Sequence, residues 1–279
     1  MLAQQRQAVI LREVRSRGGA RVSDLTEALG VSDMTIRRDL DVLAAKGLVA
    51  KVHGGATAVP EHSTDEPGFE AKSYREQAEK NAIASVAVGL VQPGTAIGLS
   101  GGTTTWALAH RLLDVPSLTV VTNSIQVADV LHQSGRTDQT VVLTGGIRTP
   151  SDALVGPIAV ATLRSLHLDQ VFMGVHGMEL RGGFTTPNLM EAETNRTLAA
   201  AGRRLVVVAD HTKWGVVALS TIARLDETDV LVTDSLIDPE ARAALAEHVG
   251  EVMVADVDGL STASGAGGSG HEHPMKKTG

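Results

Sequence analysis

The sequence contains no cysteine, which excludes a disulfide framework and a thiolate metal site. Aromatic residues make up only 2% of the chain, so its core has to be built from aliphatic side chains. Long apolar runs are also missing, since the longest, residues 82–91, is too short to cross a bilayer. The first residues mix polar, charged and apolar side chains and lack the apolar core of a signal peptide. We therefore expect a soluble, cytoplasmic protein with no membrane partner.

Charge is unevenly distributed along the chain. The 279 residues carry a net charge of −7, yet residues 1–56 hold 9 Lys and Arg against 6 Asp and Glu. That segment is therefore basic, at +3, and the remainder is acidic, at −10. Because Lys and Arg supply most of the affinity for nucleic-acid phosphates, only the first segment is suited to DNA. Length and charge together predict a small basic domain and a larger acidic one.

Residues 1–57 have the pattern of three helices followed by a wing. Glycines end the first two helices, and Ser32 is placed to cap a third that runs to Lys46. The stretch "LVAKVHGG" then alternates in polarity and breaks at two glycines, as a hairpin strand does. This order of elements is typical of a winged helix-turn-helix.

The third helix contains the sequence "TIRRDL" and keeps its arginines away from its apolar stripe. On a helical wheel Arg38 lies opposite that stripe and Arg37 lies on its flank. An arginine near the start of a recognition helix can bind guanine, and its neighbour can bind a phosphate. The alternative is a solvated surface on which both arginines pair with nearby acids, namely Asp33, Asp39 and Asp41.

The stretch "VSDLTEALGVSDMTIRRDLDVLAAKGLVAKVHGGA" resembles the N-terminal winged helix-turn-helix of DeoR-type bacterial transcriptional regulators. Their pattern runs VS-x-x-TIRRDL-x-x-L-x-x-x-G and closes on an HGGA wing. The resemblance implies that the third helix is the recognition helix and that four of its residues face DNA: Ser32, Thr35, Arg37 and Arg38. We add Lys51 and His53 of the wing to this candidate set.

The remainder of the chain has three parts. Residues 58–73 are rich in proline and acids, have no apolar period and are predicted to be a linker. Residues 74–257 repeat an aliphatic strand followed by a helix, which predicts an α/β domain with a mostly parallel sheet. Residues 258–279 are Gly/Ser-rich and are predicted to be a disordered tail.

The turn "IGLSGGTTTW" is the strongest candidate for a ligand site in the acidic domain. It joins a strand to a helix through glycines and threonines, and free N–H groups at a helix start bind anions such as phosphate. The alternative is a capped turn without a ligand. Polar residues at the ends of parallel strands meet at one sheet edge and extend the candidate set. The full effector-binding set is Ser100, Gly101, Gly102, Thr103, Thr104, Thr105, Asn123, Gly145, Gly146, Gly177 and Lys213.

This domain also resembles the effector domain of DeoR-type regulators, in order from "EKNAIASVAVGLVQPG" through "GGTTT", "VVTNS", "LTGG" and "GGFTTPNLMEAE" to "ADHTKWG". The resemblance implies a fold like ribose-5-phosphate isomerase and an effector that is a sugar phosphate or a related phosphometabolite. Two residues depart from the family pattern. Ser100 stands where the family usually carries Asp, and Asn195 stands where many members have Lys.

The sequence also offers two enzymatic alternatives to a regulator, a hydrolase and a sugar-phosphate isomerase. Gly98 to Gly102 fits the G-x-S-x-G elbow of hydrolases, with Asp210 and His248 in the required chain order, but His248 lies in an apparent amphipathic surface helix. A sugar-phosphate isomerase needs an acid/base pair, for which three residues could be offered: Glu191, Glu193 and Lys213.

We predict a DNA-binding transcriptional regulator and not an enzyme. It is expected to repress a carbohydrate-metabolism operon and to leave its operator when a phosphorylated sugar binds. No cofactor and no metal site are predicted. The expected partners are double-stranded operator DNA, the sugar phosphate and further copies of the chain, as a dimer or a larger homo-oligomer, because one recognition helix covers only one half-site.

Overall fold

The computed structural model of the protein describes residues 2–16, 19–52, 54–58, 64, 66 and 68–257. The predicted tail and His53 lie outside these residues. The helices are α1 (Ala3–Ser16), α2 (Val22–Leu29), α3 (Asp33–Ala45), α4 (Phe69–Ser73), α5 (Gln77–Ala87), α6 (Thr103–Leu112), α7 (Ile125–Gln133), α8 (Pro157–Leu163), α9 (Leu189–Ala201) and α10 (Pro239–Ala246). The strands are β1 (Gly19–Arg21), β2 (Val49–Val52), β3 (Gly55–Ala58), β4 (Ala96–Leu99), β5 (Thr119–Thr122), β6 (Thr140–Leu143), β7 (Ile147–Arg148), β8 (Leu154–Val155), β9 (Gln170–Gly174), β10 (Gly177–Glu179), β11 (Gly183–Thr186), β12 (Leu205–Val208), β13 (Ser220–Ala223), β14 (Val230–Asp234) and β15 (Glu251–Ala255).

Helices α1 to α3 and strands β1 to β3 form the winged helix-turn-helix predicted from the sequence. The side chain of Ser32 accepts the N–H of Thr35 and caps α3, as expected. The wing has one more strand than predicted, because β1 pairs with β3 and gives the antiparallel order β1-β3-β2. An aliphatic core holds these elements together, and its largest fully buried members are Ile10, Leu25, Ile36 and Leu40.

A buried carboxylate joins α1 to α3. Asp39 is only 4% exposed, and it accepts hydrogen bonds from Arg6 Nε at 2.5 Å and from Gln7 Nε2 at 2.9 Å. It therefore stabilises the helix packing and does not pair with the arginines of the recognition helix. Breaking a buried charge pair leaves the remaining ion without compensation, which makes this contact important for the module.

The predicted linker ends in a helix. Residues 69–73 form α4, which is held by two apolar contacts. The Phe69 ring stands edge-on to the Trp106 ring, with 5.9 Å between the ring centres, and Ala71 packs against the core of the DNA-binding module. The linker prediction for residues 58–73 therefore needs correction at its C-terminal end.

The acidic domain is built on a seven-stranded sheet in the order β15-β14-β12-β9-β4-β5-β6, with every neighbouring pair parallel. This sheet agrees with the mostly parallel sheet predicted from the repeat of strands and helices. Successive residues of each strand face opposite sides, so Val206 and Val208 join the core under α5 to α7 while Leu205 and Val207 join the core under α8 to α10. Both faces are thus covered, as a parallel sheet requires.

Two smaller antiparallel units accompany this sheet. Strands β10, β11 and β13 form one of them, and β7 pairs with β8 in the other. The strands of two or three residues among them, β7, β8 and β10, are too short to show a period in the sequence. Among the described helices, none is long and apolar enough to cross a membrane.

We predict that Asp39→Ala lowers the free energy of unfolding of the DNA-binding module by about 3 kcal/mol, because Arg6 would remain buried without its partner. Urea denaturation followed by circular dichroism measures the change. Asp33→Ala is the matched control on the same helix: its pair with Arg37 is exposed to solvent, which screens it, so its loss should change the free energy of unfolding far less. Equal effects of the two substitutions would contradict the structural role of Asp39.

Candidate functional site

The exposed face of α3 carries two arginines, of which one is paired with an acidic side chain and the other is not. Arg37 Nε donates to Asp33 Oδ1 at 2.5 Å, and both side chains are more than half exposed. Arg38 is exposed and makes no hydrogen bond or ion pair within the described chain. The surface-pairing alternative thus holds for Arg37 and not for Arg38, whose guanidinium is available to a partner.

Residues around Arg38 complete this surface. The hydroxyls of Ser32 and Thr35 lie 2.9 Å apart at the start of α3, and Met34 between them is 77% exposed. Lys51 of the wing pairs with Asp41 of α3, so the wing adjoins the recognition helix. The face combines cationic, hydroxyl and apolar groups, a mixture suited to phosphates, base edges and thymine methyl groups.

The turn between β4 and α6 leaves backbone donors without acceptors. The N–H groups of the first helical turn have no partner within a helix, and no side chain in the described part of the chain caps α6. Neighbouring helices differ: Ser124 caps α7, and Asn188 caps α9. The amino end of α6 therefore keeps both its donors and its positive dipole end for a ligand.

Three of the predicted effector residues shape this turn and do not line the pocket beside it. Asn123 Oδ1 accepts the N–H of Gly101 at 2.8 Å. Ser100 Oγ accepts the N–H of Gly174 at 2.9 Å, and Thr105 Oγ1 donates to the carbonyl of Ser100 at 2.8 Å. They are scaffold residues that fix where the helix begins.

The hydrolase alternative fails on the same geometry. Ser100 is fully buried, and its Oγ is already bonded to the Gly174 N–H. His248 is exposed in the turn that follows α10, where its ring Nδ1 contacts the carbonyl of Ala244 at 3.0 Å. These two residues form no nucleophile and base pair.

A pocket opens at the amino end of α6. Its volume is about 660 Å³ with its open mouth included. Four basic residues and one acidic residue line it, so it is locally positive within an acidic domain. The lining consists of Lys72, Arg75, Lys80, Gly101, Gly102, Thr103, Thr104, Ser151, Gly174, Val175, His176, Thr186, Pro187, Glu191, Asn195, Lys213 and Ile222.

Two lysines reach the pocket from α4 and α5. Lys80 is buried and donates to the backbone carbonyls of Lys72 at 2.9 Å and Arg75 at 2.6 Å. Burial lowers the pKa of Lys80 to about 7, although the charge of Asp210 opposes the shift. Lys72 Nζ donates to Ser151 Oγ at 2.9 Å, and burial lowers its pKa as well. A bound anion would favour the charged form of both lysines.

A third lysine faces the same space from the other side. Lys213 makes no hydrogen bond or ion pair among the described residues, but it lies close enough to Asp210 to influence its titration. Burial raises the pKa of Asp210, yet the charges of Lys213 and Lys80 outweigh burial and lower it. Asp210 Oδ1 accepts from Thr212, while its buried Oδ2 has no partner in the described chain.

Helix α9 supplies the acceptors of the pocket. Glu191 and Asn195 are four residues apart and therefore lie on one face of the helix. The Glu191 carboxylate accepts from Thr149 at 2.9 Å and from Thr186 at 3.1 Å, and burial raises its pKa. Asn195 is buried, and its Oδ1 has no hydrogen-bond partner among the residues described. Hydroxyl groups of a ligand match these acceptors.

Five of the eleven predicted effector residues line the pocket: Gly101, Gly102, Thr103, Thr104 and Lys213. Three predicted glycines do not. Gly145 and Gly146 follow the edge strand β6, and a Cβ on Gly146 would come within 2.6 Å of the carbonyl oxygen of Val155. A Cβ on Gly177 would lie 2.2 Å from the carbonyl oxygen of Val216. Gly146 and Gly177 allow two backbone segments to touch, which explains them without a ligand.

Sequence reasoning missed the basic residues contributed by α4 and α5. Lys72 lay in the predicted linker, where no pattern marked it. Lys80 did carry a signal, because it precedes the buried Ile83 and Ala84 by three and four residues and so falls on their face of α5. A lysine in a buried helical stripe needs a polar partner for its ammonium group. Among the described residues, no group of His, Asp and Glu is arranged to hold a metal ion.

A winged helix-turn-helix joined to an α/β domain with a basic pocket defines a DNA-binding transcriptional regulator with a sensor domain. Two family models match the chain: the DeoR-like helix-turn-helix domain over residues 6–62, and the DeoR C-terminal sensor domain over residues 75–235. The chain belongs to the DeoR family of transcriptional regulators.

Curated relatives align with this chain over nearly its whole length. The uncharacterized HTH-type transcriptional regulator YgbI of Escherichia coli K12 is 37% identical over 91% of this chain and 99% of its own length. The HTH-type transcriptional regulator GlpR of Haloferax volcanii is 33% identical over 94% and 100%. The glycerol-3-phosphate regulon repressor of E. coli K12 is 30% identical over 88% and 96%. The protein is thus a regulator and not an enzyme.

Among solved structures, ribose 5-phosphate isomerase A of Methanocaldococcus jannaschii aligns with 50% of this chain and 54% of its own, at 18% identity and a TM-score of 0.37. eIF2B beta of Chaetomium thermophilum aligns with 64% of this chain and 56% of its own, at 12% identity and a TM-score of 0.40. Of the three residues offered for the isomerase alternative, Glu191 and Lys213 line the pocket, whereas Glu193 pairs with Arg196 on the exposed side of α9.

We predict that stability rises with pH through Lys80. Its folded pKa of about 7 lies below the ordinary lysine value of 10.5, so between these values the unfolded chain binds the extra proton. The free energy of unfolding should therefore increase by up to about 1.4 kcal/mol per pH unit in this window, and the stabilisation should disappear toward neutral pH. Urea unfolding at several pH values measures the slope. Lys80→Met should flatten it, and parallel profiles for the two proteins would show that Lys80 is not the titrating group.

Proposed function

We propose that the protein is a repressor that binds operator DNA through residues 1–57 and is released when a phosphorylated sugar binds the pocket of residues 74–257. The observation that carries the effector assignment is the uncapped amino end of α6, which four basic side chains surround. A dianionic phosphate would satisfy the backbone donors and neutralise the cations together. The relatives include a repressor named for a glycerol-3-phosphate regulon, which supports an effector of this chemical kind.

The remainder of the effector would lie against α9. Phosphate oxygens only accept hydrogen bonds from these donors, whereas Glu191 and Asn195 offer acceptors that sugar hydroxyls can fill. Asn195 in place of the family's more frequent lysine removes a cation from this end of the pocket. We therefore expect the effector to present hydroxyl groups there.

On the DNA side, Arg38 is the best candidate to read a base, since nothing within the described chain holds its guanidinium. Arg37 is already oriented by Asp33 and is better placed to bind a phosphate. Ser32, Thr35 and Lys51 would add contacts from the helix start and the wing, with His53 as a further candidate. The exposed Met34 suits a thymine methyl group.

Repression requires two linked conditions. One recognition helix reads one half-site, so two copies of the chain would bind a two-fold operator. The effector must also prefer the DNA-free form, and a full switch from 99% bound to 99% released needs about 5.5 kcal/mol of differential affinity. Such a regulator would act in the cytoplasm, where its operator is.

A thermal-shift panel tests the effector assignment. Ribose 5-phosphate, fructose 6-phosphate, glucose 6-phosphate and glycerol 3-phosphate are compared with inorganic phosphate and with the unphosphorylated sugars. A ligand of the native state raises its melting temperature. The proposal expects stabilisation by at least one phosphorylated compound and by none of its unphosphorylated counterparts. The reverse order, or no shift with any of them, would refute a phosphate site.

Arg38→Ala should weaken operator binding by about 1–3 kcal/mol and relax base preference at one position, because it removes a base contact. Arg37→Ala should instead weaken all sequences alike and reduce the salt dependence. Gel shifts with an operator selected from random DNA measure both. Arg242→Ala, on the exposed side of α10, is the control that should change neither. Undiminished affinity of the Arg38 variant would remove this residue from the interface.

Thr104→Asp should abolish effector binding and induction while DNA binding is retained, because a carboxylate beside the α6 donors repels a phosphate. Thr104→Asn is nearly the same size without the charge and should keep most of the affinity. Isothermal titration with the compound that stabilises the wild type measures both variants. Equal loss in the two would point to shape and not to charge.

A further inference from the structure

Helix α4 lies between the pocket and the DNA-binding module and contacts both. On the pocket side, Lys72 and Arg75 belong to the lining. On the other side, Ala71 packs against the core of the DNA-binding module. Lys46, the residue that ends the recognition helix, places its Nζ 3.7 Å from the centre of the Tyr74 ring. One short segment therefore touches the place where a ligand would bind and the helix that would read DNA.

Polar contacts hold α4 on the sensor domain. The N–H of Phe69 donates to the carbonyl of Pro150 at 3.0 Å, and Lys72 Nζ donates to Ser151 Oγ at 2.9 Å. Lys80 Nζ binds the carbonyls of Lys72 and Arg75 at the end of the helix. The two lysines in these contacts line the same pocket as the uncapped end of α6, so an anion bound there would compete for their ammonium groups or add to their contacts.

The turn that follows α4 is a suitable pivot. Glu76 precedes α5 with φ 47° and ψ 46°, a left-handed conformation that side chains other than glycine rarely adopt. Such a residue keeps this conformation only while its surroundings impose it. The Lys80 bonds to the preceding carbonyls are part of those surroundings. A change in the partners of Lys80 would therefore act directly on the pivot.

We propose that α4 couples the pocket to the recognition helix: an anion at the amino end of α6 binds Lys72 and Lys80, repositions α4, and through Tyr74 and Ala71 changes how the DNA-binding module is held. This inference rests on the proposed phosphate site and specifies its regulation. The coupling is reciprocal, so operator binding must weaken effector binding by the same factor.

The contact between Tyr74 and Lys46 allows the coupling to be tested apart from either binding site. Tyr74→Leu removes the ring, and Lys46→Met removes the charge from the other side. Tyr74→Phe keeps a ring beneath the ammonium and serves as the conservative rescue. Glu70→Ala is a control on the exposed side of α4. Operator affinity of the full chain is measured with and without inorganic phosphate and each sugar phosphate of the panel.

We expect Tyr74→Leu and Lys46→Met to bind the phosphorylated compounds as the wild type does. The drop in operator affinity that the effector causes should, however, be at least about threefold smaller in these variants than in the wild type. Tyr74→Phe and Glu70→Ala should keep the full drop. Full coupling in both Tyr74→Leu and Lys46→Met would overturn the role of α4. If one of the two fails to fold, the other decides.

Trp106 offers a readout that does not need DNA. Its ring contacts Phe69 at the start of α4, so movement of this helix should change its fluorescence. Trp214→Phe leaves Trp106 as the only tryptophan. Addition of inorganic phosphate or a sugar phosphate should alter the emission, and Lys72→Met should remove the change. If calorimetry detects no binding, the phosphate site itself is wrong. If binding occurs with unchanged emission, the site stands and the α4 proposal falls.

Discussion

The backbone N–H groups at the amino end of α6 have no side-chain cap among the described residues, and the pocket of the sensor domain lies beside them. Asn123, Ser100 and Thr105 fix the turn from behind and leave its front open. Basic side chains from three separate segments line the pocket at this end of the helix, where the helix dipole favours an anion. Burial lowers the pKa values of Lys72 and Lys80, and an anion bound beside them would raise those values again.

Local charge, and not the net charge, bears on DNA binding and on the proposed anionic effector. The net charge of −7 would argue against DNA and against an anionic ligand alike. A basic N-terminal module and a basic pocket within the acidic domain reverse that conclusion at the two places that matter. We expect the acidic remainder to keep non-specific attraction to DNA low, because negative charge repels phosphates.

The sequence predicted the elements whose periodicity or motif is strong. "TIRRDL" located the recognition helix with its Ser32 cap, and "GGTTT" located the turn that opens the pocket. It missed β1, β15 and the small antiparallel strands, which are too short to show a period or lie where helix signals dominate. It also assigned α4 to a linker, because the apolar surfaces that Phe69 and Ala71 cover belong to residues far away in the chain.

The sequence by itself determined the two domains, their family and the backbone turn that opens the pocket, since each of these is encoded by contiguous residues. Only the tertiary structure separated pocket residues from scaffold: Gly101 and Thr104 line the cavity, while Ser100 and Asn123 support it from behind. It also brought Lys72 and Lys80 to the pocket. Their positions depend on how α4 and α5 pack across the sheet, and no spacing along the chain encodes that packing.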